Sequence, residues 1–323
     1  MAETAGTKRV FMILGRQHTL LFFVVFTVAA IFFVPKFANP ENLINILVQS
    51  SDLIILSCGM TFVFLNASID FSVVAVLALA SVFGAKILTG GGNTAVNIIL
   101  AIIAMLATGA VIGIINGLAV TRLKMPSFIA TMSTQLIFSG IALTLTQSST
   151  IGNIPNAFNA IAQGKFLGVP IPSVITTAVA GASIFLLHFT VQGRRFFAVG
   201  TNQRTSRVSG ISIKKTIMSL FVISGISAAI ACIIMTARLG AGIPSLGKDM
   251  VMDIVAAVVV GGTSVSGGEG GILGTVAGAI LIVVLNNSLN LLGAEWYTIN
   301  ICKGVLILAA CMLNSLRAGP QGA

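Results

Sequence analysis

The chain has 323 residues, of which 56% are hydrophobic and only 8% are charged, and its mean hydropathy is +1.05. A water-soluble domain carries about 25% charged residues, so this composition excludes a globule that covers its surface with polar groups. The net charge of +10 comes from Lys and Arg in short segments beside apolar runs, a pattern that sets topology in a bilayer. With one Trp and one Tyr there is no stacking platform for bases. We expect a lipid bilayer as partner and no nucleic acid.

Apolar runs of about 20 residues predict an all-α polytopic membrane protein with about ten spanning helices. In chain order the runs lie near 20–34, 43–65, 71–88, 95–120, 126–146, 171–190, 216–236, 250–263, 272–291 and 299–316. The eighth run is too short to cross alone, so we expect it to borrow from its flanks or to form a half-helix. The predicted organisation is an N-terminal segment (1–18), one transmembrane domain (19–317) and a tail (318–323).

The positive charges predict the orientation. With ten spans and the N-terminus inside, the inner segments hold 12 of the 18 Lys and Arg residues, six of them between 192 and 215. Because inner loops of membrane proteins are enriched in Lys and Arg, we expect both termini to be cytoplasmic.

Catalytic and cofactor motifs are weak. The four cysteines lie in apolar runs without C-x-x-C spacing, so we expect no metal site. His18 and His188 have no evident Ser or Cys partner, which disfavours an enzyme. Gly242–Asp249 has P-loop spacing, but Asp249 stands where a Ser or Thr would hold magnesium. We therefore expect no cofactor on this chain.

Two breaks interrupt the apolar pattern. Asn66–Ser72 separates the second and third spans, and Gly261–Gly271 is too rich in glycine for a lipid-facing helix. Non-helical backbone at membrane depth must be buried in protein or line a water-filled cavity. Asp70 can therefore border a translocation path or gate, or it can cap the third span; both alternatives remain open. The glycine-rich break predicts a hinge or tight loop. A phosphate-binding loop is disfavoured there, because no Lys follows the glycines.

Polar side chains near the breaks and within spans are the candidates for the translocation path or gate. They are Asn66, Ser68, Asp70, Asn116, Asp253, Thr263, Ser264, Asn286, Asn287 and Asn290.

Glycines at spacing four mark two spans. The candidates for close helix packing are Gly109, Gly113 and Gly117 in the fourth span and Gly270, Gly274 and Gly278 in the ninth. Such stripes let another helix approach closely. Their recurrence favours an inverted repeat of spans 2–5 and 7–10, although glycine is common in membrane helices generally.

The segment 191–215 is the only sizeable polar segment between predicted spans on the inner side. A short helix over 202–209 is predicted, capped by Asn202 and ended by Gly210. The residues alone leave two interpretations open. The basic helix can dock into a groove on a soluble partner, or its charges can contact only lipid headgroups.

This segment resembles the ribose-type monosaccharide permeases of bacterial ABC importers, whose loop reads about G-R-x-x-x-A-x-G-x-N-x-x-A-A-R-x-S-G-I. The matching positions here are Gly193, Arg194, Ala198, Gly200, Asn202, Arg207, Ser209, Gly210 and Ile211. Similar motifs follow in order along the chain at Gly59–Val63, Ile69–Val73, Asn116–Gly117, Pro126–Thr131, Asp253–Ser264 and Asn286–Gly293.

The resemblance implies a monosaccharide permease that works by alternating access. It implies a separate ABC ATP-binding subunit that carries ATP and Mg, an extracytoplasmic sugar-binding protein, and a second permease copy in a homodimer or a heterodimer with a paralogue. It also implies that 191–215 couples to the ATPase. The coupling residues are then Gly193, Arg194, Gly200, Asn202, Arg204, Arg207, Ser209 and Gly210.

Some positions depart from the family pattern. The family usually has glycines where this chain has Ala67, Ser68 and Val74, and Ala-Ala at Thr205-Ser206. These changes can alter the gate or mark one half of a heterodimer. The alternative function is an ATP-independent secondary transporter or channel for a small polar solute. It would need an acidic relay, for which Asp52, Asp70 and Asp253 are the candidates.

Overall fold

The structure is a computed structural model that describes residues 23–318. The predicted N-terminal segment 1–18, the start of the first span and residues 319–323 lie outside the described residues. The helices are α1 (Phe23–Phe33), α2 (Pro40–Phe64), α3 (Val73–Leu88), α4 (Thr94–Thr121), α5 (Ser127–Thr146), α6 (Asn156–Gln163), α7 (Ile171–Ile184), α8 (Val191–Thr201), α9 (Gln203–Val208), α10 (Ile213–Leu239), α11 (Met250–Val260), α12 (Ile272–Leu291) and α13 (Trp296–Ala318). A π-helical turn, Phe185–Phe189, extends α7.

The predicted all-α polytopic fold is confirmed. Six described helices are long and apolar enough to cross a membrane, namely α2, α4, α5, α7 with its π-helical turn, α10 and α12. Shorter apolar helices, α1, α3, α11 and α13, lie at the other four predicted spans. The segments between spans hold α6, α8, α9 and a two-stranded antiparallel hairpin of β1 (Lys165–Phe166) and β2 (Val169–Pro170). The hairpin, α6 and α8 are elements that hydropathy does not predict.

Helix pairing follows the predicted repeat. If α2–α5 correspond to α10–α13, then α4 packing on α10 has its counterpart in α12 packing on α2. The contacts of α3 with α4 and α5 likewise recur as contacts of α11 with α12 and α13, and α2 packs on α10 at the centre. This matched set of pairs is what an internal repeat of these two sets of four helices predicts.

The central helices are largely buried inside the protein, whereas the peripheral helices are largely exposed. In the most apolar window of α2, 83% of the residues are buried, against 22% in α5 and in α7. Because α5 and α7 are apolar yet open, their outer faces suit lipid or a second membrane protein.

Helices α4 and α10 cross in close contact. A Cβ atom on Gly109 would overlap the Gly225 carbonyl, and a Cβ on Gly225 would overlap the Gly109 carbonyl. Gly113 lies against the backbone of Phe221, and Gly117 also faces α10. Backbone therefore packs directly on backbone along this stripe.

The glycines of the ninth span pack differently from those of the fourth. Gly274 and Gly278 lie against the carbonyls of Gly261 and Ala257 on the α11 side. They do not take part in the α12–α2 contact that the repeat would suggest. Gly270 lies before the start of α12, in the glycine-rich segment, and has a positive φ of +158°, so the stripe on α12 has two glycines and not three.

Candidate functional site

Three segments that are far apart in sequence meet at one end of the helix bundle. They are the first break (66–72) with Leu65 before it, the α8–α9 segment and the glycine-rich segment (261–271). The Leu65 carbonyl accepts a hydrogen bond from the Gly268 N–H at 2.9 Å, and Gly200 of α8 lies against the same carbonyl. A Cβ on Gly268 would be 2.8 Å from Thr201 Oγ1. We call this meeting point the junction.

Helix α8 is fixed to the end of α2 at the junction. A Cβ on Gly200 would overlap the Leu65 carbonyl, so only glycine lets the two backbones approach this closely. One turn earlier, the buried Phe196 ring packs edge-on against Phe62 of α2, with ring centroids 5.8 Å apart at 79°. The two contacts hold α8 at a defined position.

Helix α8 is also fixed at its start. Thr190 caps it, since the Gly193 N–H donates to Thr190 Oγ1 at 3.1 Å. The α-carbon of Gly193 is buried against the carbonyls of Leu186 and Leu187 in the π-helical turn. The helix therefore joins α7 to the junction without a flexible linker.

Helix α9 follows with the caps that its sequence predicts. Asn202 Oδ1 accepts from the Thr205 N–H at 2.9 Å, which satisfies one free donor of the helix N-terminus. Ser209 donates to the Thr205 carbonyl at 3.1 Å. Gly210 has φ +79°, the left-handed conformation that ends a helix.

The short helix α9 has an inner and an outer side. Ser206 is buried, whereas Arg204, Arg207 and Val208 are exposed. Arg194 on α8 is exposed as well. Exposed guanidinium groups beside an exposed apolar side chain are typical of a protein contact surface.

Asp70 lies within the first break and is fully buried. Its Oδ1 accepts from the Ser72 N–H at 3.0 Å and from the Ser72 hydroxyl, and its Oδ2 accepts from the Ser224 hydroxyl of α10 at 2.7 Å. Asp70 therefore organises the backbone that leads into α3 and ties it to α10. Ser72 is the N-cap residue of α3, and no side-chain cap bond reaches the first turn of that helix. Asp70 therefore fixes the backbone before the helix and does not cap its free N–H groups.

The hydrogen-bonded chain continues from Asp70 to α4 and α5. Asn116 donates to the Ser72 hydroxyl at 2.7 Å and accepts from the Thr134 hydroxyl at 2.8 Å. Thr131 of α5 donates to the Ile69 carbonyl at 3.2 Å. We call Asp70, Ser72, Asn116, Thr134 and Ser224 the Asp70 cluster. It connects the first break with three spanning helices.

The Asp70→Ala variant should lower the thermal stability of the purified protein. The change leaves one buried N–H and two hydroxyls without their acceptor, which costs about 1–3 kcal/mol. Thermal unfolding in detergent measures the loss. The control is Asp249→Ala at the start of α11, because Asp249 is exposed and makes no side-chain cap. An equal shift for both variants would contradict the assigned role.

The predicted path residues divide between two regions. Asn66 and Ser68 are buried beside the Asp70 cluster. Thr263 is buried and Ser264 closes the glycine-rich turn by donating its N–H to the Glu269 carbonyl at 2.9 Å.

The remaining predicted residues lie on α11 and α12, away from the junction. Asn287 exchanges two amide hydrogen bonds with Asn42 of α2, at 2.8 and 3.0 Å. Asn286 borders a cleft shared with Asp253, and Asn290 is exposed near the end of α12. The ten residues therefore do not form one cluster.

Two acids in the spans are paired with cations. Asp52 of α2 forms an ion pair with Arg238 of α10. Asp253 of α11 contacts Lys303 of α13 at 2.9 Å through Oδ1 and 3.0 Å through Oδ2. Sequence reasoning selected Asp253 and missed Lys303. The available signal was a lysine within an apolar run, where a charge needs a partner.

Metal ligation has no support in residues 23–318, where no group of three or more His, Cys, Asp or Glu side chains could hold a metal ion.

Comparison with known proteins shows the family. A family model described as "Branched-chain amino acid transport system / permease component" matches residues 42–311. The chain belongs to this family. The matched region of the permease includes the junction, the Asp70 cluster and both ion pairs.

Several curated relatives of the permease align over most of their length. Ribose import permease protein RbsC of Bacillus subtilis is 39% identical over 282 residues, which is 87% of this chain and 86% of the relative. D-allose transport system permease protein AlsC of Escherichia coli is 34% identical over 298 residues, 91% and 90% of the two chains. Xylose transport system permease protein XylH of Haemophilus influenzae is 30% identical over 340 residues, 86% and 90%. None of the solved structures matches the permease.

Proposed function

We propose that this permease is the membrane subunit of an ATP-driven importer that moves a monosaccharide inward by alternating access. The relatives named for ribose, allose and xylose support the cargo class. The observation that carries the proposal is the junction, where the α8–α9 segment is held against the break that contains Asp70. A loop of this kind can transmit force from outside the bilayer to the spanning helices.

The mechanism follows from the contacts. ATP-driven closure of a partner would move α9, and α8 would move with it. Because Gly200 and Phe196 hold α8 against α2, the motion reaches the end of α2 and the glycine-rich segment. The Asp70 cluster then passes it to α4, α5 and α10. Packed helices shift between discrete arrangements rather than bending continuously, which suits alternating access.

The proposed partners match the surfaces of the permease. ATP and Mg are bound by a separate ATPase subunit, which docks on the exposed side of α9. A sugar-binding protein delivers the cargo at the opposite end. The open faces of α5 and α7 can meet a second permease copy, as a homodimer or as a heterodimer with a paralogue. The charges of segment 191–215 support a cytoplasmic junction, with both termini on that side of the inner membrane.

An ATP-independent transporter is the alternative, and the buried acids disfavour it. A proton or ion relay needs acids that exchange their partner during transport. Asp52 and Asp253 are already paired with Arg238 and Lys303, and Asp70 is held by hydroxyl groups.

Reversing the charge of Arg207 should weaken association with the ATPase. Arg207→Glu places a negative charge on the exposed side of α9, and we expect about tenfold lower recovery of the ATPase in co-purification from membranes. Lys165→Glu in β1, exposed at the opposite end, is the matched control and should leave recovery unchanged. Equal recovery for both variants would leave α9 without a role in docking.

A further inference from the structure

A cavity of about 540 Å³ lies between α5, α11 and α13. Its volume is in the range of small-molecule sites, about 300–1,000 Å³. Phe71 from the first break and Asp249, the residue that precedes α11, both line it. The cavity therefore lies between α5 and Phe71 of one half of the predicted repeat and α11 and α13 of the other half.

The Asp253–Lys303 ion pair borders this cavity. Both side chains of the pair are 18% exposed, so the carboxylate and the ammonium are each accessible, whereas in the other pair Arg238 is 30% exposed and the Asp52 carboxylate only 2%. A carboxylate offers about four acceptor positions and an ammonium three donors, so their mutual contacts leave hydrogen-bonding capacity. A charge pair at membrane depth that stays open to a cavity is a candidate for ligand contact.

Aromatic and amide side chains complete the lining. Trp296, Asn300, Lys303 and Ile307 fall on one stripe of α13 because they are spaced by three or four residues. Gln135 of α5 faces them across the cavity. The indole supplies a flat apolar surface, and the amides supply both donors and acceptors.

The charges of the lining cancel. Lys248 and Lys303 are balanced by Asp249 and Asp253. The cavity therefore selects neither anions nor cations. Its chemistry suits a neutral solute that has several hydroxyl groups and an apolar C–H face.

We propose that this cavity is the cargo site of the permease, with the Asp253–Lys303 pair binding sugar hydroxyls and Trp296 covering the C–H face of the ring. This inference rests on the proposed function and assigns its cargo contacts to named side chains. It adds Lys303, Trp296, Asn300 and Gln135 to the predicted path residue Asp253.

A second cavity, of about 450 Å³, begins on the other side of Asp253. Asn45, Gln49 and Asn286 line it, and the buried Asn286 Oδ1 has no hydrogen-bond partner within the part of the chain that the structure describes. Asp253 is thus the side chain that both cavities share. The amide groups of the second cavity therefore continue the polar lining beyond Asp253.

The test uses the complete transporter in proteoliposomes, with its ATPase and binding protein, and measures ATP-dependent uptake of radiolabelled D-ribose per assembled complex. Co-purification of the ATPase gives the number of assembled complexes. Trp296→Ala and the neutral double variant Asp253→Asn/Lys303→Gln should each lower uptake about tenfold. Each variant removes a sugar contact whose loss weakens binding by about that factor. Tyr297→Ala is the matched control, since Tyr297 is similarly exposed but does not line the cavity.

The outcomes are distinct. Equal uptake by Trp296→Ala and Tyr297→Ala overturns the cargo site and leaves the proposed function intact. A loss of assembled complexes without a loss of uptake per complex also overturns it, because the ion pair is then only a structural contact. If Trp296→Ala does not assemble, Gln135→Leu is tested in its place, with the same expected tenfold loss of uptake per complex. Absence of ATP-dependent uptake by the unmodified protein defeats the proposed function together with this inference.

Discussion

The Gly200→Ala variant should lose ATP-driven sugar uptake while still inserting in the membrane. A Cβ at this position would overlap the Leu65 carbonyl and come within 2.9 Å of the Gly268 nitrogen. Both neighbours are backbone atoms, so no side chain can rotate away. We expect strain of about 2 kcal/mol or more in the docked position of α8, which lowers its population about 30-fold.

Uptake into proteoliposomes measures this effect, with membrane insertion followed in parallel. Gly271→Ala is the control, because Gly271 lies in the same glycine-rich segment and a Cβ there meets nothing within 4 Å. Its backbone is extended, with φ −168°, so alanine fits without strain. Uptake by Gly200→Ala at the level of Gly271→Ala would show that the junction does not couple α8 to transport.

The Gly225→Ala variant should be strongly destabilised. Gly225 and Gly109 face each other across the α4–α10 crossing, and each would place a Cβ onto the carbonyl of the other. The helices must separate to admit a methyl group, and every contact along the stripe weakens with them. Since overpacking costs about 1–3 kcal/mol and more where backbone cannot move, we expect a loss of about 3 kcal/mol.

Thermal unfolding and monodispersity in detergent measure the loss. Gly181→Ala in α7 is the matched control, since a Cβ there meets nothing within 4 Å. Alanine also favours a helix over glycine by about 1 kcal/mol, so this control should be neutral or stabilising. A Gly225→Ala protein as stable as the control would contradict the close crossing.

Much of the fold can be predicted because each helix that crosses a lipid bilayer needs a run of about 20 mostly apolar residues. Each predicted span coincides with an apolar helix to within a few residues over the described part of the chain. Helix α9 is predictable too, since Asn202 and Gly210 are local signals. Helix α8 is not, because Gly193 and Gly200 lower its helix propensity. Those glycines allow close contacts with the carbonyls of Leu187 and Leu65. Such contacts produce no recognisable pattern in the sequence around α8.

The candidate site is less predictable than the fold, because its contacts join distant parts of the chain. Asp70 was identifiable as an acid at a helix break, yet its partner Ser224 is 154 residues away. Lys303 is 50 residues from Asp253. Neither separation produces a periodic pattern. The glycines of α12 show the same limit. Their spacing predicts close packing with another helix, but it does not identify α11 as that helix.

The most direct test of the account is sugar uptake by the permease reconstituted with an ATPase subunit and a sugar-binding protein. From a panel of radiolabelled pentoses and hexoses, we expect a monosaccharide to accumulate only when ATP is hydrolysed, and to accumulate equally after ionophores collapse all ion gradients. Uptake that needs an ion gradient and proceeds without the ATPase would contradict the account.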